Sequence, residues 1–132
     1  MFLTKECDYG IRIIRALADN KKKSVQTICE IEHVPLQYAY KILKKLERGG
    51  LVKSWRGPDG GYRLIKSPRS FTMYDVVAAI DGKLFVSECL NEEQNCTRNT
   101  PETPCSVHFE LARIQALIIE EMKSKTMEDT LQ

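Results

Sequence analysis

PLQYAYKILKKLERGGLVKSWRGPDGGYRLI, residues 35–65, is the stretch on which the fold turns. Pro35 suits the first turn of a helix, where its missing N–H costs nothing. Tyr38, Ile42, Leu43 and Leu46 then follow at helical spacing, and Gly49-Gly50 ends the helix. Leu51 to Trp55 reads as a strand, Arg56 to Gly61 as a Gly/Pro-rich tip, and Tyr62 to Ile65 as the returning strand. Two short strands about such a tip make a β-hairpin.

Working outward, Thr4 is a fair N-cap for a first helix to about Ala18. Cys7, Ile14 and Leu17 form its apolar stripe, flanked by Ile11 and Ile13. Asp19-Asn20 and three lysines close it. Ser24 caps a short helix, Val25 to about Glu30, with Ile28 inward, and His33-Val34 make a turn. Helix, helix, turn, basic helix, hairpin is the order of a winged helix-turn-helix, whose second helix reads DNA. Beyond the hairpin Pro68 breaks the chain, and Thr72 with Asp75 caps a fourth helix through about Ile80. The expected class is mainly α with a small β-hairpin. Residues 1–80 would form the DNA-binding domain, 81–105 a cysteine-bearing loop, and 106–132 a dimerisation helix and tail.

The charge distribution agrees. The net charge is only +2. Within 35–66, however, Lys41, Lys44, Lys45, Arg48, Lys53, Arg56, Arg63 and Lys66 face only Glu47 and Asp59, while residues 67–132 are net acidic. A localised basic patch is a footprint for phosphates, although a solvated lysine-rich face has the same composition. Gly57, Gly60 and Gly61 give the hairpin tip a backbone that can approach DNA, with Arg56 beside the groove. A plain hairpin turn is the simpler alternative. The chain has 132 residues, 42% of them hydrophobic, which suits one domain plus an extra element. With no apolar run of membrane-spanning length and no leader, a soluble cytoplasmic protein is expected. No nucleophile–base arrangement or phosphate-binding loop stands out, so enzymatic activity is not expected.

From Asp81 to Pro104 periodicity fades, and NEEQNCTRNTPETPC, residues 91–105, is too polar to order itself. It nonetheless carries Cys96 and Cys105, with Cys89 just before it and His108 just after. Thiolates suit iron–sulfur clusters, zinc or Cu(I). The spacing C-x6-C-x8-C-x2-H lacks the paired CxxC arms of zinc ribbons, and a loosely spaced loop can wrap a larger inorganic core. A cluster, a Cys3His zinc site, a reversible thiol–disulfide pair and unligated cysteines all remain open on the residues alone. Cys7 and Cys29 read as small core residues. Asp8, four residues before Arg12, reads as half of a surface ion pair. From Ser106 a long helix sets Val107, Leu111, Ile114 and Ile118 on one side, with Met122 next, and Leu117 and Ile119 on another. Two apolar sides point to a second subunit, with burial of the helix in its own domain as the simpler alternative.

YAYKILKKLERGGLVKSWRGPDGGYRL, residues 38–64, resembles the signature of the Rrf2 (Rrf-two) family of transcriptional regulators, and DYGIRIIRALA near the N-terminus extends the likeness. The resemblance implies a homodimeric winged helix-turn-helix regulator that binds an inverted-repeat operator in double-stranded DNA. It also implies an iron–sulfur cluster on Cys89, Cys96 and Cys105. In IscR-like members the fourth ligand is a histidine just after the third cysteine, matched by His108. In NsrR-like members it is an acidic residue of the partner subunit, matched by Asp8. The histidine would suit a 2Fe–2S cluster and the carboxylate a 4Fe–4S one; the local spacing from Cys105 favours His108. The chain departs from the family in its longer, uneven cysteine loops. On this reading helix 35–49 enters the major groove, with Gln37, Tyr38, Tyr40 and Lys41 near base edges and Lys44 and Lys45 near phosphates. Cluster loss, oxidation or reaction with nitric oxide would change DNA affinity. A zinc-stabilised or thiol-switch regulator is the alternative; an electron-transfer protein leaves the basic helix and wing unexplained.

Overall fold

A computed structural model describes residues 3–132. Helix α1, Lys5–Ala16, starts where the Thr4 side chain accepts from the Cys7 N–H. Leu17 leaves helical geometry, so α1 stops short of Ala18. Helix α2, Val25–Glu32, is capped by Ser24 and ends on His33, which takes a left-handed conformation. Helix α3, Leu36–Arg48, has Pro35 in the cap position rather than its first turn. Strands β1, Val52–Trp55, and β2, Gly61–Leu64, pair antiparallel with Val52 opposite Leu64 and Trp55 opposite Gly61. Helix α4, Met73–Asp81, opens on a full capping box between Thr72 and Asp75.

The core lies between α1, α3 and α4. Ile13, Ile14 and Leu17 meet Ile42, Leu43 and Leu46 on one side and Val76, Val77 and Ile80 on the other. Gly10 lets α1 and α4 close together, since a Cβ there would overlap Ile80. Cys7 is fully buried in this core, and its thiol donates to the Asp81 carboxylate at 3.0 Å. Thr4 binds the same carboxylate at 2.7 Å. The two ends of the α1–α4 pair are thus tied by one acid.

Hydrogen bonds join the wing to the helical part of the fold, among them one from Arg63 to the Asn20 side chain at 3.2 Å. Lys23 and Tyr62 exchange backbone hydrogen bonds of 2.9 and 2.8 Å, adding a one-residue bridge to the hairpin. Glu47, in the last turn of α3, accepts from the Ser54 N–H and hydroxyl at 3.2 and 2.9 Å. Helix and wing are therefore tied into one surface.

The segment 82–105 is irregular apart from a short helical turn at Glu88–Leu90. Helix α5, Ser106–Lys123, follows, and none of its residues is buried. The chain then folds back into a further helix where a tail is expected from sequence. Helix α6, Met127–Leu131, is capped by Thr126, which accepts from the Asp129 N–H. Met127 is fully buried, and its N–H donates to the Phe71 carbonyl at 2.8 Å.

Candidate nucleic-acid interface and cysteine pocket

A groove of about 500 Å³ runs between α3 and the wing, lined from α3 by Leu36, Tyr40, Lys44 and Glu47 and from the wing by Trp55, Arg56 and Gly57. Ser24, Val25 and Gln26, at the start of α2, close its third side. Three backbone segments thus converge on one partly apolar, partly basic concavity. At about 3.6 residues per turn, Gln37, Lys41, Lys44 and Arg48 fall opposite the buried stripe of Ala39, Ile42, Leu43 and Leu46. That face is open to solvent.

The expected contact residues divide into groups. Tyr40, Lys44 and Arg56 line the groove, and Gln37 stands exposed beside it. Tyr38 is half-buried and packs on Tyr9 with ring centroids 5.4 Å apart. Lys41 and Lys45 both reach the carboxylate of Glu6 in α1, at 2.7 and 2.8 Å. These hydrogen bonds hold the Glu6 carboxyl below its ordinary range and raise the Lys41 ammonium. The glycines also differ. Gly57 faces open space with φ +101°, whereas a Cβ on Gly61 would overlap the Lys23 carbonyl. Gly61 is thus required by the wing's own bridge to Lys23, and Gly57 is the one with room for an approaching backbone.

The cysteine segment builds a second concavity, a pocket of about 550 Å³ lined by Cys89, Cys96 and His108 among Asn91, Gln94, Asn99 and Gln115. Polar side chains give the loop more order than its composition suggests. The Asn99 carbonyl accepts from the Cys105 N–H at 2.9 Å, and the Gln115 carbonyl accepts from the Val86 N–H at 3.0 Å, fastening the loop to α5. Cys105 occupies the cap position of α5, three residues before His108 and outside the pocket lining. The Nδ1 of His108 is buried without a hydrogen-bond partner. Among the described residues, no three His, Cys, Asp or Glu side chains stand close enough to hold a metal ion. The donors are gathered in one segment and fit a soft metal or cluster in kind, but they are not assembled around a point. Asp8 lies elsewhere, exposed and paired with Arg12 at 3.0 Å.

Leu36, Trp55, Tyr62, Ser24 and Gln26 line the groove but were not singled out from sequence. A signal existed for some of them. Leu36 and Tyr40 are apolar positions off the core stripe of α3, and Trp55 occupies the outward register of β1. Ser24 and Gln26 gave no such signal, because their place beside the wing depends on the Lys23–Tyr62 bridge.

Comparison with known proteins agrees with this geometry. The Rrf2 family, described as iron-dependent transcriptional regulators, matches residues 3–132. A helix-turn-helix transcriptional regulator of Rhodobacter capsulatus, described as Rrf2-like, is 28% identical over 98% of this chain and 91% of its own. The NsrR regulator of Halalkalibacterium halodurans is 32% identical over 72% of this chain and 67% of its own. Among solved structures, CymR (YrzC), the global cysteine regulator of B. subtilis, superposes with a TM-score of 0.78 at 24% identity, covering 99% of this chain and 96% of that one. IscR of T. potens superposes with a TM-score of 0.73 at 24% identity, covering 99% and 86%. These two likenesses establish the winged helix-turn-helix fold.

Proposed function

Because the chain belongs to the Rrf2 family of transcriptional regulators, we propose that it acts as a homodimer whose operator affinity is set by an iron–sulfur cluster held on residues 89–108. Its relatives are transcriptional regulators, not enzymes, and so is this protein. It works on double-stranded DNA in the cytoplasm, through the groove between α3 and the wing. Tyr40, Lys44, Arg56 and Gln37 reach bases and phosphates from positions the fold already presents. Gly57 lets the wing tip come close. Two copies would read the two halves of an inverted repeat about a helical turn or more apart.

The observation that carries the cluster reading is the buried, unpartnered Nδ1 of His108 in a helix that lines the pocket of Cys89 and Cys96. Buried polar atoms without partners are rare, and an unfilled ligand position is one reason for them. Cys89, Cys96 and Cys105 would supply thiolates and His108 an imidazole, the donor set of a 2Fe–2S centre. Asp8 of the partner subunit is the alternative fourth ligand and would go with a 4Fe–4S centre. Such a group supplies chemistry sensitive to oxidants, to nitric oxide and to iron–sulfur supply. The chain's own part is mechanical. Cys105 begins α5, and Gln115 of α5 holds Val86. Drawing Cys105 toward Cys89 and Cys96 therefore pulls on α5, the element expected to join the subunits. Metal binding and local ordering are coupled in such loops.

Anaerobic purification with a visible spectrum and iron, sulfide and zinc analysis tests this. Iron and sulfide in near-equal amounts, lost in Cys96→Ala together with cofactor-dependent DNA binding, is the expected result. Retention of the spectrum in His108→Ala but not in Asp8→Ala would move the fourth ligand to Asp8. Zinc alone, or no metal, would replace the cluster with a structural site or a thiol switch.

A further inference from the structure

The DNA-facing side of α3 carries a charge that the structure spends internally. Lys41 lies opposite the buried stripe of α3, on the side of Gln37, Lys44 and Arg48, yet its ammonium turns back to Glu6 at 2.7 Å. Lys45, on the flank toward α1, takes the other carboxylate oxygen at 2.8 Å. One carboxylate in the first turn of α1 thus engages two lysines of the basic helix. Lys44 and Arg48 enter no ion pair among the described residues. Glu6 is only one-fifth exposed and is fixed by its helix, which Thr4 and Cys7 anchor to Asp81.

We propose that Glu6 tunes the DNA-binding surface: fixed from the flank by Lys45, it withholds Lys41 from phosphates and so suppresses sequence-independent binding. The proposal rests on the DNA-binding reading above and is independent of the cluster. Binding to arbitrary sequence draws almost all its affinity from phosphate neutralisation. An internal carboxylate that competes for a DNA-facing cation therefore weakens that mode in every register. Docking on the operator adds base contacts that arbitrary sequence cannot supply, so the operator stays bound under conditions at which the same competition releases arbitrary sequence. Lys41 is mostly exposed, and an exposed ion pair is weak enough to be exchanged for a phosphate. The device is a filter and not a lock.

Fluorescence anisotropy with a scrambled-sequence duplex, from about 50 to 200 mM salt, tests this on the full chain for wild type, Glu6→Gln and Glu6→Gln/Lys41→Gln. Circular dichroism first establishes that each protein is folded. Freeing one lysine adds about one phosphate contact, so log K against log salt should steepen by about one unit in Glu6→Gln. Affinity should rise several-fold at the low-salt end, and roughly fourfold more of it should be lost across the range. The double variant should return to the wild-type slope. Should Glu6→Gln misfold, Glu6→Asp keeps the charge but is too short to span both lysines, and a slope between the two is expected. Proteins that bind with equal slopes overturn the role of Glu6. Absence of binding by every protein even at low salt overturns the DNA-binding reading itself.

Discussion

Cys7 and Cys89 show how differently one side chain behaves in two settings. Cys7 is fully buried, and burial first, then the hydrogen bond to the Asp81 carboxylate, pushes its thiol up to about 11 from an ordinary 9.0. At pH 8 only about one molecule in a thousand would carry the thiolate, the form that reacts. Cys89, Cys96 and Cys105 are half-buried on the loop. Iodoacetamide at pH 8 should therefore alkylate those three in metal-free protein and reach Cys7 only after unfolding, as peptide mass spectrometry would show. The same shift sets a pH dependence. The folded state keeps a proton that the unfolded chain releases above its ordinary value. The stability associated with Cys7 is thus whole below pH 9 and is lost as pH climbs toward 11. Tm should fall more steeply over that window in wild type than in Cys7→Ala; parallel curves would mean that the thiol ionises freely in the fold.

At the scale of elements, α6 is the least expected piece and the easiest to test. Five residues are too few to form a stable helix alone, so its packing must hold it. Met127 fills a fully buried site, Thr126 bridges to Thr72, and Glu128 reaches Arg69 at 2.7 Å. Met127→Ala should cost about 2–5 kcal/mol in urea unfolding, the usual range for emptying a buried methionine site. A loss under 1 kcal/mol would show that α6 frays in solution. Why α6 escaped the sequence reading is physical: MEDTL carries one buried residue and no periodicity of its own, and its partner Phe71 lies far away in the chain. The winged helix-turn-helix was legible for the opposite reason. Its caps at Thr4, Ser24 and Thr72, its apolar stripes and its Gly/Pro-rich wing tip are local signals within single elements. The candidate site was legible in composition but not in geometry. Nothing local in residues 35–49 tells that Lys41 and Lys45 turn to Glu6, 35 and 39 positions earlier. Nor does the cysteine spacing tell that Cys105 caps a helix while Cys89 and Cys96 share a pocket with His108.

For the whole molecule the open question is what α5 rests on. Its 18 residues bury none of their side chains, and Val107, Phe109, Ile114 and Leu117 are exposed by 63, 58, 36 and 53%. In its C-terminal half Ile119 and Met122 pack against the core. An apolar helix face projecting from a small domain is costly in water, and a second copy of the same helix is the simplest cover for it. The acidic character of residues 67–132 does not oppose this, because on α5 itself Arg113 and Lys123 offset two of the three glutamates, Glu110, Glu120 and Glu121. Light scattering should therefore give about twice the 15.1 kDa chain mass. Leu117→Asp places a charge in the middle of the exposed face and leaves the domain core untouched. It should yield a monomer with unchanged secondary structure. Because an inverted repeat is bound tightly only by two linked reading heads, it should also lose most of its operator affinity while keeping its weak binding to arbitrary duplex. A Leu117→Asp protein that stayed dimeric would place the subunit contact elsewhere and leave α5 free for a different partner.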